Sequence, residues 1–202
     1  MLAVINSLAM NAADAESDID FFIVTKRNRL YFVRSWIFVL FRLLGVYKTQ
    51  QKIDNQFCFG VYVTCEQLGL KLLLLPNQDP YFAFWFATMQ PLLGKKVYLD
   101  LAARNSWIKD YFPNFDPEDN SRSVRRNRFV FFKKLLEIAC FLPAVLCERL
   151  LRRIHIRHTW RLPENSWPTA TTVANKSMLK LHAMDPRKQV REDFFALLQS
   201  LR

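Results

Sequence analysis

The sequence predicts an α/β (α+β) fold: a small mixed sheet with helices on one side, followed by a mostly helical C-terminal region. Apolar, strand-like runs at 2–5, 19–24 and 57–63 alternate with a segment at 30–46 whose apolar residues recur every third or fourth position. Composition changes near an acidic, Pro-containing stretch at 115–123. We therefore expect one domain over residues 1–115 and a basic helical region over 122–202.

The remaining elements follow from local signals. Residues 81–89 are predicted to form a helix with Asp79 as the N-cap and Pro80 at the first helical position. Residues 97–111 fit a further helix, and the apolar run at 68–75 fits either a strand or a short buried helix. Residues 161–169 are expected to form a loop, and residues 169–181 and 185–201 two short helices.

Two acidic residues begin the second strand, in the sequence Ser-Asp-Ile-Asp. Asp18 and Asp20 are two apart, so on a strand their side chains project from the same face. Carboxylates held that close repel each other unless a cation lies between them. Oxygen ligands with positions left for phosphate oxygens suit Mg²⁺. A turn carrying Ser7 lies just upstream, which predicts a phosphate-binding loop beside a metal site.

These residues resemble the active-site signature of the polymerase-beta-like nucleotidyltransferase superfamily, in which a Gly-Ser turn precedes a strand bearing Asp-x-Asp. The stretch SLAMNAADAESDIDFFIVTKRNRL is similar in particular to bacterial stand-alone nucleotidyltransferase-domain proteins. A looser likeness continues through QPLLGKKVYLDLAARNSWIKDYFPN and LKLHAMDPR. In that family a helix precedes the serine turn, so we expect this chain to be truncated at its N-terminus.

The resemblance implies a nucleotidyltransferase-like sheet topology and a Mg²⁺-dependent reaction. A nucleoside monophosphate would pass from a nucleoside triphosphate to an acceptor hydroxyl, with release of pyrophosphate. Asp18 and Asp20 would be the catalytic metal ligands, and Asn6 and Ser7 would bind the nucleotide phosphates. The acceptor stays open between a small molecule, RNA and a protein side chain.

Two departures from the family pattern favour an alternative. Asn6 stands where the family has Gly, although Asn is the residue that best tolerates the same backbone conformation. The third carboxylate of the family has no counterpart in the strand at 57–63, since Asp54 precedes that strand and Glu66 follows it. The alternative is a catalytically degenerate fold that binds nucleotide, RNA or a partner protein.

The charge of the chain is strongly basic, with a net +11 and a pI near 9.8, which attracts polyanions. Lys26 follows the acidic strand, and it either contacts the triphosphate or is solvated. Residues 122–161 carry eleven Lys and Arg against two acids. That stretch is interpreted as a helix packed on the first domain, a helix on an anionic membrane surface, or a nucleic-acid-binding stripe, with a kink expected at Pro143.

Four cysteines occur without any Cys-x-x-Cys pair, and the chain starts without a basic leader segment. We therefore expect free thiols and a cytoplasmic, possibly membrane-associated protein. Cys140 and Cys147 with His155 and His158 match no common zinc spacing, so buried structural thiols are expected there. His182 is expected to be a packed or capping residue. The sequence contains no Gly-rich dinucleotide motif or P-loop.

Overall fold

A computed structural model describes residues 1–49, 52–122, 124, 140–166, 170–181 and 185–200. A six-stranded mixed sheet with helices around it confirms the predicted fold class. The strands are β1 (Leu2–Ile5), β2 (Ile19–Thr25), β3 (Phe57–Thr64), β4 (Gln90–Leu93), β5 (Val173–Ala174) and β6 (Met178–Lys180). Their order across the sheet is β4-β1-β2-β3-β6-β5.

One neighbouring pair in this sheet, β2 and β3, is parallel, and the other four pairs are antiparallel. The parallel register sets Asp20 opposite Cys58 and then shifts by one residue, because β3 carries an extra residue between Cys58 and Val61. A bulge of this kind bends the strand and changes the direction of nearby side chains. It lies directly beside the acidic start of β2.

The helices in the described part of the chain are α1 (Asn6–Ala9), α2 (Leu30–Leu43), α3 (Pro80–Thr88), α4 (Lys95–Ala103), α5 (Pro117–Asn120), α6 (Phe141–Arg161) and α7 (Arg187–Ser200). Short 3₁₀ turns occur at Lys71–Leu73, Ser106–Asp110 and Pro163–Ser166. Helix α3 starts as predicted, because the Asp79 carboxylate accepts a hydrogen bond of 3.0 Å from the Phe82 N–H. The helix expected over 97–111 is divided into α4 and the second 3₁₀ turn.

Apolar side chains cover both faces of the sheet, so the prediction of helices on one side is wrong. One face packs Phe22, Val24 and Val63 against α3, α4 and the turns around them. The other packs Phe21 and Ile23 against α2, and further residues of that cluster come from α6. Alternate residues of β2 therefore enter two different cores, as a strand buried on both faces requires.

The helix predicted over 169–181 is instead a β-hairpin made of β5 and β6. Asn175 forms its turn, since its side-chain oxygen accepts hydrogen bonds from the N–H groups of Ser177 and Met178. Strand β6 pairs with β3, with Val61 opposite Lys180. The C-terminal region thus completes the same sheet that the first 115 residues begin.

The basic apolar segment is described from Cys140 onward, and residues 125–139 and His182 lie outside the described residues. Pro143 falls in the first turn of α6, where a proline is tolerated. The kink predicted there concerned a longer helix, and the part of that helix before Cys140 lies outside the described residues. Cys147 is exposed on α6 and is not a buried thiol. No described helix is long and apolar enough to cross a bilayer.

Candidate active site at the start of the second strand

The carboxylates of Asp18 and Asp20 lie together with the thiol of Cys58. One potential ligand atom from each of the three residues lies within 4.8 Å of the others, and all three residues are half-buried. Asp20 belongs to β2 and pairs with Cys58 on β3 and with Ile5 on β1, so the cluster lies across the centre of the sheet. The two carboxylates lie close together, as the sequence predicts, although Asp18 precedes β2, which begins at Ile19.

The turn between β1 and β2 contacts this cluster directly. Asn6 has a φ of 58°, the left-handed region that Gly occupies most easily and Asn tolerates best. Its side-chain amide donates a hydrogen bond of 2.8 Å to Oδ2 of Asp20. A glycine at this position would lack that bond. Ser7 follows in the first turn of α1 and is half-buried.

A lysine in the connection between α2 and β3, Lys48, completes the cluster. The ammonium group of Lys48 lies 2.7 Å from Oδ2 of Asp18, in a pair whose two side chains are 35% and 15% exposed. Burial lowers the pKa of Lys48, but the hydrogen bond to Asp18 and the electrostatic interactions with Cys58, Asp18 and Asp20 together outweigh burial, and the net shift of the pKa is upward. Lys48 is therefore a fixed positive charge on the first of the two carboxylates.

The environment changes the protonation of the other two groups. Burial raises the pKa of Asp20, although the hydrogen bond from Asn6 opposes that shift. Burial and the neighbouring charge of Asp20 raise the pKa of the Cys58 thiol well above its ordinary range. Cys58 is therefore a neutral thiol at pH 7, and it lies opposite Asp20 on the strand that carries no acid.

Lys26 does not join this site. It follows the opposite end of β2, about 20 Å from Asp20 at the usual rise of a strand. There it is exposed and lines a separate cavity near the N-terminal end of α2. Glu66 follows β3 at the same far end and pairs with Arg27 at 3.2 Å, so it is not a third carboxylate of the site.

A cavity of about 220 Å³ adjoins the cluster on the same face of the sheet, and Asn6 is part of its wall. The opposite wall comes from a buried ionic network in the C-terminal region. Asp185 accepts hydrogen bonds from Lys180 and Arg187, and Arg187 extends to Asp79 at 2.7 Å. Sequence reasoning missed this wall, because residues more than 100 positions apart in the chain form it.

The chain matches no protein-family model, no curated protein and no solved structure.

The donor atoms of the cluster indicate which ligand it could bind. Two carboxylates with oxygen donors fit Mg²⁺, which prefers oxygen ligands and keeps several positions for water or phosphate. The neutral thiol of Cys58 is a poor ligand for so hard a cation. Asp18 and Asp20 would hold the ion, and Lys48 would have to share Asp18 with it.

Proposed function

We propose that the chain is a Mg²⁺-dependent nucleotidyltransferase. The acceptor hydroxyl oxygen would form a bond to the α-phosphorus of a nucleoside triphosphate, the bond to the pyrophosphate oxygen would break, and the hydroxyl proton would pass to solvent. The observation that carries the proposal is the convergence of Asp18 and Asp20 beside the Asn6–Ser7 turn, with the Asn6 amide bonded to Asp20.

Each group has a distinct task in this proposal. When bound, the metal ion would neutralise charge on the phosphate oxygens, which is much of what phosphoryl chemistry requires. Asp18 and Asp20 would hold it at the centre of the sheet. Asn6 would fix the rotamer of Asp20, and the polar turn containing Ser7 would bind the phosphates.

Calorimetric titration of the full chain with non-hydrolysable analogues of the four nucleoside triphosphates, with and without Mg²⁺, tests the site. We expect metal-dependent binding that is lost in Asp18→Asn and in Asp20→Asn. Asp110→Asn is the matched control, because Asp110 is exposed and far along the chain from the cluster. Absence of nucleotide binding by a folded wild-type chain would refute the proposal.

A nucleotide-binding module without turnover is the second candidate. It is supported by the protonated thiol of Cys58 opposite Asp20 and by the Lys48 ion pair on Asp18. Pyrophosphate release in the presence of each triphosphate separates the two candidates. Binding without release, together with release by Cys58→Asp, would favour a degenerate active site.

A role on an anionic membrane surface, in a cytoplasmic protein, is a further candidate. Helices α2 and α6 expose large apolar side chains, among them Leu43 (81% exposed) and Leu146 (74%). Glu148, the one acid of α6, is buried and accepts hydrogen bonds from the backbone N–H groups of Tyr31 and Phe32. The outward charges of α6 are therefore basic.

Co-sedimentation with phosphatidylserine vesicles tests this candidate. Binding should be lost when three arginines of α6 are neutralised (Arg149, Arg152 and Arg153). It should be retained when the same number of exposed lysines is neutralised elsewhere (Lys95, Lys96 and Lys109). Equal loss in both variants would indicate attraction by net charge alone.

A further inference from the structure

The cavity beside the Asp pair has the size of one nucleobase-sized planar group. Its volume of about 220 Å³ is below the roughly 300–1,000 Å³ of pockets that enclose a drug-sized ligand. A whole nucleoside triphosphate therefore exceeds it. Asn6 borders the cavity and also donates a hydrogen bond to Asp20. The cavity and the Asp pair are therefore adjacent, and one ligand could occupy both.

Flat apolar surfaces form much of the cavity wall. Tyr81, Phe82 and Trp85 contribute rings from α3, and Pro186 contributes another ring from the C-terminal region. The rings of Phe82 and Trp85 stack with centroids 5.0 Å apart, which holds this side of the wall in place. Walls of this kind suit a planar ligand that presents its faces to apolar surface and its edges to polar groups.

The polar groups of the cavity wall differ in how much of their hydrogen-bonding capacity is already taken. The Lys180 side chain is 7% exposed, and its ammonium group donates to Thr171 Oγ1 at 2.6 Å and to Asp185 Oδ2 at 3.1 Å. An ammonium group has three N–H donors, so among the described residues one donor of Lys180 remains for a ligand. The Asp185 carboxylate, by contrast, already accepts from Thr171, Lys180 and Arg187.

Tyr81 supplies a second polar contact. Burial raises the pKa of its hydroxyl, and the charges of Asp20 and Asp185 raise it further. Within the described residues no hydrogen bond involves this hydroxyl, although Tyr81 lines the cavity. A ligand edge between the Asp pair and the C-terminal network would meet it.

We propose that this cavity is the nucleobase subsite of the chain, and that Lys180 makes it prefer bases with a keto group at the ring edge, guanine and uracil. The proposal rests on the proposed nucleotide site. Guanine and the keto pyrimidines present acceptors where adenine and cytosine present an amino donor. The amino group of adenine or cytosine is a donor, so it could not accept a hydrogen bond from Lys180. The Asp185 carboxylate already accepts from Thr171, Lys180 and Arg187. A site built to pair with one edge rejects the edge that leaves its buried groups unpaired.

The test is the Mg²⁺-dependent affinity of the full chain for non-hydrolysable GTP, UTP, ATP and CTP analogues and for inorganic triphosphate. We expect the GTP and UTP analogues to bind at least about tenfold more tightly than the ATP and CTP analogues. Lys180→Met should remove that preference by weakening the first two. Tyr81→Phe, which removes one hydroxyl and leaves the ring, should weaken nucleotide binding without changing the affinity for triphosphate.

Lys188→Met is the matched control, because Lys188 is exposed on α7 and should retain the wild-type preference. If all four nucleotides bind equally and Tyr81→Phe changes nothing, while Asp18→Asn abolishes binding, the base subsite is wrong and the nucleotide site stands. If neither nucleotides nor triphosphate bind to the folded wild-type chain, the proposed function fails, and the subsite fails with it.

Discussion

Replacing Arg187 by Met should destabilise the protein by about 3 kcal/mol. Arg187 is 5% exposed, and its guanidinium donates to Asp185 at 2.9 Å, to Asp79 at 2.7 Å and to the Leu73 carbonyl at 2.8 Å. Methionine fills similar space but leaves the buried Asp79 carboxylate without a cation, and it leaves Asp185 with Lys180 as its remaining cation. Breaking a buried ion pair on one side costs roughly 3–5 kcal/mol.

The lower end of that range applies because each carboxylate keeps other donors. Asp79 still accepts from the N–H groups of Leu75 and Phe82, and Asp185 still accepts from Lys180 and Thr171. For a chain of this length, about 3 kcal/mol corresponds to a fall in Tm of about 6–12 °C.

Urea unfolding followed by circular dichroism measures the loss, with Lys188→Met as the exposed control, expected within about 0.5 kcal/mol of wild type. A loss below about 1 kcal/mol with an unchanged m value would refute the reasoning. The difference in unfolding free energy between wild type and Arg187→Met should also depend on pH. Burial opposes ionisation of Asp185, but the hydrogen bonds from Arg187 and Thr171 and the charges of Lys180 and Arg187 together hold its pKa well below the ordinary 3.8. The stabilisation it provides is therefore present above that value and is lost as the pH falls, so wild type and Arg187→Met should converge in acid.

Three further changes test other parts of the structure. Lys48→Met should tighten Mg²⁺ binding about fivefold, since removing a half-buried ion pair of about 1 kcal/mol frees Asp18. His155, whose pKa burial and the charge of Arg34 lower to about 4, should make the wild type lose stability as the pH falls from about 6.5 to about 4, and His155→Gln should lose less over that window. Asn105→Ala should cost about 3 kcal/mol in urea unfolding, because its buried amide makes four hydrogen bonds.

Each of these predictions has a result that contradicts it. Weaker Mg²⁺ binding by Lys48→Met would mean that the lysine supports the cation site and does not compete for it. A pH profile of His155→Gln identical to that of wild type would remove the histidine as a contributor. Asn105→Ala should be compared with Asn114→Ala, an exposed asparagine expected to change stability little, and equal losses in the two would contradict the role of burial.

The part of the site that lies in one local stretch was predictable from the sequence. The two-residue spacing of Asp18 and Asp20 brings their carboxylates close together at the start of β2, and Asn6 tolerates the positive φ of its turn. The apolar run at 57–63 predicts that Cys58 lies on a strand, but its position opposite Asp20 depends on the register of a parallel pair with a bulge. Pattern alone does not define such a register.

The part that depends on distant segments was not predictable. Lys48 reaches Asp18 from a connection with no periodic pattern, and Lys180 lies on a three-residue strand, too short to show an alternation. The hairpin containing Lys180 had one local signal, the Asn-Lys-Ser turn at 175–177, which its apolar flanks obscured. Two-sided burial of the sheet likewise depends on α6, whose position follows from packing and from the Glu148 hydrogen bonds to the start of α2.

The pairing of β3 with β6 also has a consequence for how the protein is made. Strand β3 can join β2 early during translation, but its other edge waits for residues 178–180. At roughly 5–20 residues per second, a ribosome needs on the order of 6–23 s to produce the roughly 115 residues between them. Throughout that interval a valine- and aromatic-rich edge is open to strands of other nascent chains. Slower translation of the basic segment would lengthen this exposure and should lower the soluble yield.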